Sequence, residues 1–185
     1  MSKPLSILGL AGSLRARSFN RAALRAAQEL APADVTITTF DLDGLPGYND
    51  DLEASPQAQV VALRDAIRAA DAILIASPEY NYSIPGVLKN ALDWGSRPAG
   101  KSAWRGKPCA LFGASMGRLG TARMQYHLRQ VLVALDMHAL NRPEVMIAGA
   151  GDKFDDDLRL TDEPTRKLVG ELVSGLASWT RTLAA

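Results

Sequence analysis

Short β-rich apolar runs alternate along the chain with longer stretches whose apolar residues recur at helical spacing. The runs lie at 5–10, 35–40, 71–76, 108–113 and, shorter, 145–147. Between them the spacing predicts helices over 19–30, 56–70, 85–94, 121–135 and 165–183. The helical faces are explicit: Val60, Leu63 and Ile67 in the second, Met124, Leu128, Val131 and Leu135 in the fourth, Leu168, Leu172, Leu176 and Trp179 in the last. Pro32 ends the first helix, because proline lacks the N–H that would continue it. Residues 41–55 carry Gly44, Pro46, Gly47 and Asn49, too many breakers for a regular element, and read as a long loop. The unbroken apolar run 71–76 is of the kind buried on both faces of a sheet.

Five strands separated by helices imply an α/β fold with an open, doubly wound, mostly parallel sheet, since each parallel pair needs a crossover. No repeat or linker divides residues 1–185, which read as one domain. In such sheets ligands sit outside the carboxyl ends of the strands, where strand order reverses. Composition narrows the class. With 47% hydrophobic and 22% charged residues the chain is globular, and disordered, collagen-like and disulfide-scaffold classes are excluded. Its 21 basic and 20 acidic side chains leave a net charge of +1, so no global field draws the surface to nucleic acid or anionic lipid. The single cysteine, Cys109, forms no internal disulfide and, inside an apolar strand, reads as a small buried hydrophobe. Residues 1–4 lack the apolar run of a signal peptide, and no stretch reaches the roughly 18–20 residues of a membrane span, so a cytoplasmic location is the expectation.

The loops after the first, third and fourth strands converge on one sheet edge. The first runs Gly12-Ser13-Leu14-Arg15-Ala16-Arg17-Ser18-Phe19-Asn20 between a strand and a helix N-terminus. Free N–H groups and the helix dipole suit it to a phosphate, with Ser13, Ser18 and Asn20 as further donors and Arg15 and Arg17 as charge. The plainer alternative is a Ser18 helix cap with two solvated arginines. Gly9 and Gly12 do not complete a dinucleotide fingerprint, and no acidic residue is read as closing the second strand. Residues 95–102 match a P-loop literally, but they follow a helix and Pro98 interrupts them. The second loop, Ser77-Pro78-Glu79-Tyr80-Asn81-Tyr82-Ser83-Ile84-Pro85-Gly86, offers fixed backbone polar groups beside aromatic rings, which suits a flat heteroaromatic ligand; the alternative is a turn with Tyr80 and Tyr82 in the core. The third, with Gly113, Ser115, Gly117 and Gly120, permits close backbone approach. His127 and His138 lack a serine or cysteine partner in any recognisable motif and read as structural or solvated. The acidic run 152–157 has Phe154 and Asp157 where a calcium loop needs an oxygen ligand and a glycine, so no metal is expected.

Gly12-Ser13-Leu14-Arg15 through Ser18-Phe19-Asn20, then Pro78-Glu79-Tyr80-Asn81-Tyr82-Ser83-Ile84-Pro85-Gly86 with Leu88-Lys89-Asn90-Ala91-Leu92-Asp93-Trp94, resembles the NAD(P)H-dependent FMN reductases, in the quinone, chromate and azo reductase branch. The resemblance implies a flavodoxin-like, five-stranded sheet of order 2-1-3-4-5. It also implies FMN held by Ser13, Leu14, Arg15, Arg17, Ser18, Phe19 and Asn20 at the phosphate, by Pro78, Glu79, Tyr80 and Asn81 along the ring, and by Ser115. NADPH or NADH is the implied co-substrate and a quinone, free flavin, azo compound or chromate the implied acceptor, in a ping-pong hydride transfer. No catalytic side chain is required, because the flavin carries the chemistry. Arg97 is a candidate for lining the acceptor pocket. A homodimer or homotetramer is implied, consistent with aromatic content around Tyr80, Tyr82, Trp94 and Trp104, and Arg123, Tyr126 and Glu144 are candidates for polar pairs between subunits. An electron carrier of the flavodoxin type is the alternative, although such carriers are usually acidic and this chain is balanced.

Overall fold

The computed structural model describes residues 4–185, so the reading of a missing leader at residues 1–3 lies outside the described residues. In chain order the elements are β1 (Leu5–Ala11), α1 (Phe19–Glu29), β2 (Val35–Phe40), α2 (Ala58–Ala69), β3 (Ala72–Ala76), α3 (Gly86–Gly95), β4 (Pro108–Ala114), α4 (Ala122–Ala134), β5 (His138–Ala139), β6 (Val145–Ile147) and α5 (Glu163–Ala184). The sheet is parallel, in the order β2-β1-β3-β4-β5, with β6 also on β4. This is the flavodoxin-like order.

One feature of the sheet differs from the sequence expectation. The fifth position holds two short strands: His138 and Ala139 pair with Pro108 and Cys109 at the start of β4, while Val145 to Ile147 pair with Phe112 to Ala114 at its end. Pro143 between them has no N–H to give a ladder, and only two residues precede the break, too few for a periodic signal.

Alternation along β3 sets the two core layers. Ala72, Leu74 and Ala76 pack with the faces of α1 and α5, whereas Ile73 and Ile75 pack with α2, α3 and α4. The buried stripe of α5 is Thr165, Val169, Leu172, Val173, Leu176 and Ala177; Leu168 is exposed and Trp179 half-buried, so the expected stripe is rotated. The helix starts earlier than the apolar pattern, because Asp162 accepts the Thr165 N–H and Pro164 occupies the first turn. Trp94 and Trp104, expected near an interface, are fully buried within the chain, their indole N–H groups donating to Pro46 and Leu92 carbonyls at 2.8 and 2.9 Å. The 41–55 loop is anchored along α3 in the same way: the Asn90 amide donates to Pro46 O and accepts from Tyr48 N.

Candidate functional site

Past the strand ends the ladder continues by single bonds, Gly12 N to Ala76 O at 2.9 Å and Ser77 N to Phe112 O at 3.1 Å, so the loops leave the sheet side by side. Their separation is too small for side chains. A Cβ on Gly12 would collide with the Ser77 hydroxyl, and one on Gly113 with Ser77 O and the Thr121 side chain.

In the first loop, Ser18 caps α1, its Oγ accepting from Asn20 N at 3.2 Å and Arg21 N at 3.4 Å. The plainer reading of Ser18 therefore describes its side chain. Asn20 is buried; its amide donates to Ala114 O at 2.9 Å and accepts from Ala114 N at 2.8 Å, tying α1 to the end of β4. Its role in the fold is to position the loop. Arg17 reaches across to Asp156 O at 2.8 Å, and Phe19 packs on Phe154 with centroids 5.2 Å apart. What stays open is the backbone: the N–H groups of Leu14, Ala16 and Arg17 meet no acceptor among the described residues, and neither does the exposed Arg15 guanidinium. Buried Ser13 lies beneath them. Unpaired N–H donors, a helix N-terminus and a free arginine make a fitting cradle for a phosphomonoester.

The second loop is a two-residue hairpin. Tyr80 N donates to Ser83 O at 3.1 Å and Ser83 N to Tyr80 O at 2.9 Å, with Asn81 at φ 50° and Tyr82 at φ 67°. Two left-handed central residues define a type I′ turn. It holds both tyrosines out: Tyr80 is 50% and Tyr82 69% exposed, against the alternative that placed them in the core. Pro78 is buried, and the N–H groups of Glu79, Asn81 and Tyr82 have no acceptor among the described residues. The Glu79 carboxylate turns away to the start of α4, accepting from Met124 N at 3.1 Å and pairing with Arg123, whose guanidinium lies 3.6 Å from the Tyr82 ring centre. A second tie joins Ser83 Oγ to His127 Nδ1 at 2.9 Å, so His127 does have a serine partner. Arg123 and His127 are four apart on one helix face; that was legible in the sequence, but not that this face meets the hairpin.

In the third loop the Ser115 hydroxyl donates to Gly120 O, and Gly120 takes φ 59° against the Met146 backbone. The N–H groups of Met116, Gly117, Arg118 and Leu119 have no acceptor among the described residues and rim the same edge. Arg97 is not brought to these loops. It lies past the far end of α3, about 15 Å of helix from the hairpin, with Nε 3.3 Å from Glu53 and its guanidinium over Tyr48. The Tyr48 hydroxyl, donating to Glu53, is pushed up to about 12 by that bond. Of the residues expected to pair between subunits, Arg123 is engaged by Glu79 and Glu144 by Arg142 within the chain.

One further correction concerns a side chain off the loops. Asp41 directly follows β2, so an acidic residue does close the second strand. Burial opposes its charge, but the Asp43 N–H and Arg21, which pairs with it at 2.7 Å, hold its carboxyl below the ordinary range. Cys109 is fully buried, and burial pushes its thiol up to about 12, which leaves no thiolate for chemistry.

Residues 5–152 match the family model for NADPH-dependent FMN reductase. The chain belongs to the NADPH-dependent FMN reductase family. It is 52% identical over 185 residues to an NAD(P)H-dependent FMN reductase of Pseudomonas aeruginosa, covering 99% of both chains. It is 43% identical over 182 residues to a quinone reductase of Pseudomonas putida, covering 98% of this chain and 97% of that one. Among solved structures, FerB of Paracoccus denitrificans, a flavoenzyme NAD(P)H:(acceptor) oxidoreductase, superposes with a TM-score of 0.89 at 35% identity, over 96% of this chain and 98% of FerB. No helix among the described residues is long and apolar enough to cross a membrane.

Proposed function

We propose that this FMN reductase family member is a single-domain, cytoplasmic oxidoreductase that oxidises NAD(P)H and reduces quinones or related small acceptors by two electrons. The observation that carries the reading is the cradle of unpaired N–H groups at Leu14, Ala16 and Arg17 beside free Arg15, set next to two loops whose own N–H groups are open. FMN, when bound, supplies the two-electron chemistry, taking hydride from one substrate and passing it to the other. The chain's residues then divide the remaining work. The open N–H groups of Leu14, Ala16 and Arg17 with Arg15 would hold the phosphate, Ser13 and Ser18 shape that loop, and Asn20 fixes it to β4. Pro78 to Asn81 would hold one edge of the ring, where the open N–H groups of Glu79 and Asn81 would favour negative charge, and the open 116–119 N–H groups would hold another. The I′ turn keeps Tyr80 and Tyr82 exposed at the rim, where they would shield a bound ring from water.

Exposed Tyr80, Tyr82, Met116, Leu119 and Tyr126 all lie on the loops and helix of this one edge. Such a patch beside a cleft supports a homodimer or homotetramer with the site near the interface. Light scattering at the monomer mass of 19.8 kDa at micromolar concentration would remove the oligomer. The central test is anaerobic stopped-flow of the FMN-loaded protein. NAD(P)H should bleach the flavin absorbance and an added quinone should restore it; bleaching only by a protein reductase would assign an electron carrier instead.

A further inference from the structure

A slot of about 330 Å³ opens beside the phosphate loop, between α1 and the edge strand β2. Ala11, the last residue of β1, forms part of it, and Arg21 and Arg25, four apart on α1, face Thr39, Phe40 and Asp41 across it. Arg21 links slot and loop directly: its Nε donates to Ser13 O at 3.0 Å and its Nη2 to Asp41 at 2.7 Å. Arg25 is exposed and pairs with no carboxylate among the described residues. Two guanidinium groups against one carboxylate leave the slot a net cationic site, and half-buried Phe40 gives it a flat apolar wall.

Its place in the sheet decides what it can take. The order β2-β1-β3-β4 sets the slot three strand spacings from the 115–119 loop, about 14 Å at roughly 4.8 Å per spacing. The phosphate cradle stands between. A dinucleotide whose nicotinamide lay over the loops of β3 and β4 and whose other end ran along this edge would reach the slot, a polar recess at that distance. About 330 Å³ is at the low end of small-molecule sites, room for one nucleoside end and not for a whole dinucleotide. The slot also offers both chemistries that distinguish the two nicotinamide dinucleotides: a carboxylate at the end of the second strand accepts from a ribose 2′-hydroxyl, and arginines beside it meet a 2′-phosphate.

We propose that this slot receives the adenosine end of the reducing dinucleotide, with Arg25 and Arg21 reading the 2′-phosphate of NADPH and Asp41 the 2′-hydroxyl of NADH. The inference rests on the reductase reading above. Arg21 must leave Asp41 to meet a phosphate, whereas Arg25 gives up only a 3.5 Å hydrogen bond to Leu158 O, so Arg25 is the stronger discriminator. The specificity of the enzyme is then set on α1 and β2, outside the flavin loops.

The test uses the FMN-loaded protein and two probes that carry no hydride, 2′,5′-ADP and 5′-AMP, in titration calorimetry. The wild type should bind 2′,5′-ADP more tightly than 5′-AMP. Arg25→Ala should weaken 2′,5′-ADP by about tenfold or more, the loss expected for one charge-assisted hydrogen bond, and Arg25→Lys should restore part of it. The ratio of KM for NADPH to KM for NADH should rise in Arg25→Ala and fall in Asp41→Asn. An unchanged 2′,5′-ADP affinity in Arg25→Ala, with an unchanged KM ratio in both variants, overturns the slot while NAD(P)H still bleaches the flavin. Failure of both nicotinamides to bleach it overturns the reductase reading itself.

Discussion

Arg123 pairs with the carboxylate of Glu79 across the gap between the second loop and α4, and the two form one unit with Met124 N and the Tyr82 ring. The Glu79 side chain is 5% exposed and that of Arg123 42%, so the carboxylate is the member held in the protein and the guanidinium its lid. The unit fixes the hairpin that the ring of the cofactor would meet. Glu79→Ala removes a helix-terminal acceptor and strands Arg123, and should destabilise the fold by about 1–3 kcal/mol in urea denaturation. Arg123→Ala should cost less, because the Met124 N–H and the helix dipole still satisfy Glu79. Equal losses for the two would show that the pair, and not the cap, carries the stabilisation.

Asn20 gives the second prediction. Its amide closes both main-chain groups of Ala114 in a buried setting, so Asn20→Ala leaves a donor and an acceptor unpaired and should destabilise by roughly 2–4 kcal/mol. Asn20→Asp keeps the acceptor for Ala114 N but sets a carboxylate against Ala114 O, and should not rescue it. Denaturant midpoints of the protein without FMN separate this from any loss of phosphate binding.

These two residues mark how far the sequence reaches. The parallel α/β sheet and the three loops follow from local pattern, since β3 is apolar throughout and each loop sits between a strand and a helix, whereas the strand order comes from the family resemblance. What side chains do within a loop does not follow, because their partners are distant in sequence: Asn20 meets Ala114, Glu79 meets Arg123, Ser83 meets His127. A donor-rich loop suggests a ligand equally well whether its side chains face the ligand or brace the backbone that does. The split of the fifth strand was hidden by its brevity. Asp41 was adjacent to a correctly placed strand, and its importance emerges only with the slot and Arg21 beside it.

Tyr82 tests the hairpin's backbone. At φ 67° a residue with a Cβ sits in the left-handed region, where glycine has no penalty. Tyr82→Ala and Tyr82→Gly lose the same contact with Arg123, so their difference isolates the backbone. Tyr82→Gly should be the more stable by about 1 kcal/mol, read from thermal or urea unfolding, whereas helix or strand positions reverse that order.

The two loop arginines should separate in FMN titrations. The Arg15 guanidinium has no partner among the described residues, while that of Arg17 is held by Asp156 O. Arg15→Ala should weaken FMN by roughly ten- to a hundredfold, the loss of one charge-assisted bond to phosphate, and Arg17→Ala by less. Riboflavin, which lacks the phosphate, should bind both variants as it binds the wild type. Riboflavin binding that falls in step with FMN would mean that Arg15 shapes the loop and does not meet the phosphate.

The start of α5 carries a pH dependence of stability whose sign is fixed by Asp162. Its carboxylate accepts from the Thr165 hydroxyl and from Lys153 Nζ at 2.9 Å as well as from Thr165 N at 3.0 Å, and these bonds, the Thr165 hydroxyl foremost, hold it at about 2 against an ordinary 3.8. A carboxyl lowered on folding contributes stability that is full above its unfolded value and disappears as pH falls through its folded value. The contribution of Asp162 should therefore be complete at pH 5 and shrink between about pH 4 and pH 2. Asn at this position still caps a helix but has no charge to lose. Urea stability of wild type minus that of Asp162→Asn should be larger at pH 5 than at pH 2.5, and taking the difference cancels the other carboxylates that titrate in the same range. Lys153→Met should reduce the pH 5 difference without abolishing it, because the Thr165 bonds remain. A difference that stays constant across the range would place the folded Asp162 carboxyl at its unfolded value and remove the charge from the cap.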